Sequence, residues 1–137
     1  MSESYRVELR TVGGGPTALG SAGPFTLVAD RPAPAGGGLG FNGGQLLYLA
    51  VAACVSNDLY REAAALGVGL RGVRVTVDGD FAGRGAASSP IEVEVELDTD
   101  ARAEQVDALM AEVERVAEIP RSLREGTEVR LRRPAAS

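Results

Sequence analysis

Between Asn42 and Gly67 the apolar side chains Leu46, Leu47, Leu49, Ala50, Ala53 and Cys54 return every three or four residues, the period of a helix. Before and after that segment the period is two. Tyr5, Val7, Leu9 and Thr11 alternate with Arg6, Glu8 and Arg10, and Ile91, Val93, Val95 and Leu97 alternate with Glu92, Glu94 and Glu96. A long helix set among strands with one wet face can bury its apolar side only against a sheet, which predicts an α+β fold.

The helix carries its own boundaries. Asn42, three residues before Gln45, forms the pattern of a capping box, and Gly67 after Ala63-Ala64-Ala65-Leu66 is a helix stop. Upstream, Phe25–Ala29 reads as a strand, while Gly20-Ser21-Ala22-Gly23-Pro24 reads as punctuation. Asp30 to Gly40 is a Pro- and Gly-rich loop, long enough to suggest a functional role. Its glycines lack the G-x-x-x-x-G-K-[ST] spacing of a phosphate loop. Downstream, Leu70, Val73, Val75, Val77 and Phe81 predict a strand, and Gly83 to Pro90 a hairpin loop. Asp100 is the expected cap of a second helix with Val106, Leu109, Met110, Val113 and Val116 on its apolar face, ended by Pro120. Val129 and Leu131 suggest a last short strand.

Length and composition narrow the function. At 137 residues, with 45% hydrophobic, the chain is expected to form one domain over 1–137. Nineteen acidic residues against 14 basic, all of them arginine, give a net charge of −5 and no broad positive field for nucleic acid or an anionic membrane. No apolar run is long enough to span a bilayer, and the first residues lack the order of a signal peptide, so a cytoplasmic location is expected. With no histidine and one cysteine, most metal sites, Cys-His couples and intrachain disulfides are excluded. No cofactor is expected. A first helix so rich in leucine and alanine suggests burial on more than one side, hence a second copy of the chain.

The element order, with Asp30-Arg31-Pro32, the glycine loop, Gly40-Phe41-Asn42, Leu46-Leu47, Ala52-Ala53-Cys54 and Val73-x-Val75-x-Val77-x-Gly79, resembles the OsmC/Ohr family of hydroperoxide-reducing proteins. The likeness spans about residues 5–132 and is most specific over Asp30–Asp58. It implies an OsmC-like fold, an antiparallel sheet with a long central helix and a second helix, in an intertwined homodimer. It also implies interface sites of two cysteines, an arginine and a glutamate, reducing organic hydroperoxides and regenerated by an external thiol.

On that resemblance Cys54 stands at the attacking position and Arg31 is the candidate for the arginine. The second cysteine falls at Ala117 or Ile119, depending on whether Leu123 or Pro120 anchors the match, and the glutamate at Gly44, beside Gln45. A single-cysteine peroxidase resolved by an outside thiol therefore competes with a degenerate relative that binds a small apolar ligand. A reactive thiol needs a nearby cation, and Cys54 lies too deep in its helix for the dipole to serve. Arg31 and then Arg61 are the candidates, while Asp58, four residues on, either opposes a thiolate or orients an arginine. An arginine at an accessible sulfur favours the peroxidase; a sulfur sealed among alanines favours the ligand binder.

Overall fold

The computed structural model describes residues 2–135 and divides after Tyr48 into two compact units. In the first, β1 (Glu8–Thr11), β2 (Ala18–Ala22) and β3 (Phe25–Ala29) form an antiparallel sheet in chain order. The register places Leu9, Gly20 and Leu27 side by side on one face, and Ala22 opposite Phe25. The first strand starts three residues later than the alternation from Tyr5 predicts. The second was unexpected, because Gly20 and Ser21 are poor strand residues alone; here β2 is paired on both edges, and tertiary pairing overrides propensity.

The loop after β3 folds back on Asp30. A parallel bridge joins Ala29 to Phe41, with the Asp30 amide donating to the Phe41 carbonyl at 2.9 Å and the Phe41 amide to the Val28 carbonyl at 3.1 Å. Gly40 permits this approach, since a Cβ there would stand 2.2 Å from the Val28 carbonyl oxygen.

Helix α1 (Gly43–Leu66) begins in the first unit and runs through the second. Its start is the predicted box: the Gln45 amide donates to Asn42 Oδ1 and the Asn42 amide to Gln45 Oε1, both at 2.9 Å. Its end is a Schellman turn, with Gly67 at φ 71° and the Val68 amide donating to the Ala63 carbonyl at 2.8 Å.

The second unit continues with the hairpin β4 (Gly72–Asp78) and β5 (Glu92–Asp98), then α2 (Ala103–Val116) and α3 (Glu118–Arg124). Val73 pairs with Leu97, Val75 with Val95 and Val77 with Val93, so one face is apolar, while Arg74 opposite Glu96 lies on the other. That apolar face packs on a core of Val51, Val55, Leu59, Ala63, Val68, Leu109, Val113 and Ala117. The first four recur at i+4 along α1, one ridge of its surface.

Three expectations fail here. Asp100 does not cap α2; it pairs with Arg71 at 2.8 Å, and the helix starts at Ala103 with Gln45's counterpart, Gln105, accepting from the Arg102 amide at 3.1 Å. Pro120 does not end a helix. Helix α2 stops at Val116, Ala117 turns to an extended conformation, and Pro120 occupies the first turn of α3, where no backbone N–H is required. Val129 and Leu131 form no strand; they are 81% and 94% exposed, with no partner strand among the described residues.

Candidate functional site

Cys54 lies on α1 next to the core ridge and is half-buried. One turn on, at i+4, Asp58 is 4% exposed, and the Cys54 sulfur donates to its Oδ2 over 3.9 Å. Another turn brings Arg61, whose Nη2 sits 3.2 Å from Asp58 Oδ1 while its Nε donates to Glu62 at 2.7 Å. Arg61 therefore directs its charge to the two carboxylates of its own helix. The spacing 54, 58, 61 is what puts the three side chains on one face.

A fourth group comes from α3. A carboxylate oxygen of Glu118 lies within 4.8 Å of both the Cys54 sulfur and a carboxylate oxygen of Asp58. Ala117, immediately before it, is buried and extended, which aims residue 118 at α1. Glu118 stands between Ala117 and Ile119, the two positions matched to a second cysteine, and no pattern in the sequence singles it out. These three donor atoms are close enough to share a cation, but the guanidinium of Arg61 already provides positive charge at Asp58.

The electrostatics of Asp58 follow from that packing. Burial is the largest influence and pushes its carboxyl up; Arg61 pulls it down, Glu118 and Glu62 push it up again, and the hydrogen bond from Cys54 pulls it down. The balance leaves it above the ordinary carboxylate value.

Arg31 belongs to the other unit, on the exposed loop after β3. Its amide donates to Asp30 Oδ1 at 2.7 Å, so its backbone is anchored. Asp30, 5% exposed, organises this loop: it also accepts from Thr17 Oγ1 at 2.8 Å, Gly37 at 3.3 Å and Leu39 at 3.2 Å. Desolvation would raise its carboxyl, but the hydrogen bonds from Thr17, Arg31, Leu39 and Gly37 outweigh it and hold the group below the usual range. The same unit has an open apolar cavity of about 410 Å³ lined by Val7, Leu9, Ala22, Phe25, Leu27 and Leu46.

Residues 36–132 match the model of the family described as OsmC-like protein. The chain belongs to the OsmC-like family. Solved structures agree on the fold. An OsmC-like protein of Mycoplasma pneumoniae superposes with a TM-score of 0.80 at 16% identity, over 90% of this chain and 89% of that one. An organic hydroperoxide resistance protein from Vibrio cholerae, solved with captopril in one of its active sites, gives 0.64 at 25% identity over 90% and 88%. The organic hydroperoxide resistance protein OhrB of Bacillus subtilis gives 0.61 at 20% over 89% and 91%. No curated protein matches this OsmC-like chain. Among the described residues no helix is long and apolar enough to cross a membrane.

Proposed function

We propose that this OsmC-like protein is a thiol-dependent reductase of organic hydroperoxides in which Cys54 attacks the peroxide. The observation that carries the reading is that Cys54 is half-buried and its sulfur is hydrogen-bonded to Asp58. Among the described residues the arginine expected at the sulfur is not its hydrogen-bond partner, Arg61 being held by Asp58 and Glu62. Relatives named for organic hydroperoxide resistance support the substrate class. Arg31 is the proposed cation for the thiolate. The sequence holds no second cysteine, so the sulfenic acid formed on Cys54 is resolved by an external thiol. The proposed working unit is a cytoplasmic homodimer of single domains spanning 1–137. Exposure of Val7, Leu9 and Phe25, at 73%, 60% and 75%, supports a second copy as their cover.

Brief treatment with an equimolar organic hydroperoxide, followed by intact-mass spectrometry, tests this. Rapid oxygen addition that a thiol reverses and that Cys54→Ala abolishes is expected. An unchanged mass would instead favour a non-catalytic relative holding a small apolar ligand, for which the 410 Å³ apolar cavity is the specific support.

A further inference from the structure

The peroxidase reading leaves a proton unassigned. When a thiol reduces an alkyl hydroperoxide, sulfur bonds to the terminal oxygen, the O–O bond breaks, and an alkoxide departs with the electron pair. Cys54 must lose a proton and the alkoxide must gain one. The proton acceptor in contact with the sulfur is Asp58 Oδ2, at 3.9 Å. We propose that Asp58 is a catalytic acid–base residue, taking the Cys54 proton as sulfur attacks and returning it to the departing alkoxide.

This rests on the peroxidase reading and adds to it. The step balances: R–O–O–H and Cys54–SH give R–OH and Cys54–S–OH, with sulfur oxidised by two electrons, the peroxide reduced by two, and Asp58 unchanged. The surroundings suit a carboxyl that carries a proton for part of the cycle. On α1 the groups facing Asp58 are Cys54, Arg61 at 3.2 Å and Glu62; from α3 it faces Glu118. Arg61 favours the ionised form needed to accept the thiol proton. Burial and the two glutamates favour the protonated form needed to release it to the alkoxide, and the net upward displacement of Asp58 agrees. An exposed carboxylate, lacking that upward displacement, would be a weaker base for the thiol proton.

Asp58→Asn, shown by circular dichroism and melting to be folded, separates this role from a structural one. Rates of oxygen addition to Cys54 are compared for tert-butyl hydroperoxide, whose alkoxide needs a proton to leave, and peroxybenzoic acid, whose carboxylate leaves without one. The variant should lose about 10²-fold with the alkyl hydroperoxide and far less with the peroxy acid. Equal losses with both would overturn the return of the proton to the alkoxide and leave Asp58 a base only. No loss with either would overturn the assignment while leaving Cys54 a peroxidatic cysteine; a wild type inert to both would remove the peroxidase reading itself. Glu118→Gln is the second variant, at an exposed position. Removing a negative neighbour of Asp58 should move the pH profile of alkyl hydroperoxide reduction to lower pH, and an unmoved profile would also count against Asp58.

Discussion

Asp30 and Asp58 are almost equally buried, yet their surroundings drive them in opposite directions. Asp30 meets four donors: a hydroxyl and three backbone amides. Asp58 meets a thiol, one arginine and two glutamates. A carboxylate surrounded by donors of fixed geometry is a structural fastener, because every lone-pair direction is used to hold backbone in place. One that shares its charge partner with other acids has proton affinity left over. The contrast extends to their units: the first buries one apolar side chain, Ala18, among those described, while the second contains the whole core cluster around Leu59.

The largest effect is expected from the core beneath Asp58. Leu59 is wholly buried between Val55 and Ala63 on the ridge of α1, and Leu59→Ala should cost about 2–5 kcal/mol through lost burial and the cavity left behind. Chemical denaturation measures it. A loss below about 1 kcal/mol, against the range for such truncations, would mean that the cluster is not the centre of stability and that the comparison of the two units is misdrawn.

That core was legible in part. The Asn42-Gln45 box and Gly67 stop of α1, Leu109 and Val113 of α2, and the alternation in β4 and β5 each rest on a local rule that the packing obeys. The buried ridge of α1 was missed: Val51, Val55, Leu59 and Ala63 carry the core, while Leu49, Ala50 and Ala53 of the expected apolar face are exposed. A helix apolar on several sides has no single face that periodicity can pick out. Strand β2 was not legible, since its Gly20-Ser21 centre gains strand character only from two paired neighbours. Nor was the break at Ala117: Pro120 signals an end to a helix, but the same residue is equally at home in the first turn of the next one, and periodicity does not distinguish the two. The site was half legible. The i+4 step from Cys54 to Asp58 and the further step to Arg61 could be counted along the chain, whereas Glu118 reaches them only because α3 returns to α1, a contact 60 residues long in sequence. The family resemblance directed attention to the residues on either side of it.

A smaller effect is expected at the fastener. Asp30→Asn exchanges one acceptor oxygen for a donor, so the pair of donors on that oxygen loses its acceptor. Hydrogen exchange should quicken by about tenfold or more at pH 7, at Arg31 and Gly37 where Oδ1 is replaced or at Leu39 where Oδ2 is, with α2 unaffected. In the wild-type protein the Asp30 carboxyl lies below its unfolded value, so its contribution is complete above that value and is lost as pH falls through the folded one. Acid should therefore loosen the wild-type loop only below the usual carboxylate range, and the variant should lack that step. An acid step of the same size in both would show that some other group holds the loop.

The smallest effect on stability is expected at Asp58, and its sign is opposite. Its folded pKa is raised, so the native state holds this proton more tightly than the unfolded chain. The corresponding stabilisation is complete below the unfolded value, near 3.9, and fades as pH rises through the folded one. Asp58→Asn keeps an oxygen to accept from Arg61 and removes the cost of ionising a buried group beside Glu62 and Glu118. The variant should be modestly more stable than wild type at pH 7, with the difference closing toward pH 4. Denaturation at the two pH values reads both. Combined with the expected loss of alkyl hydroperoxide reduction, a gain in stability would mark Asp58 as a residue kept for chemistry at a cost to the fold. A loss of stability at pH 7 would place Asp58 with Asp30, as an acid whose partners outweigh its burial, and the contrast between the two would dissolve.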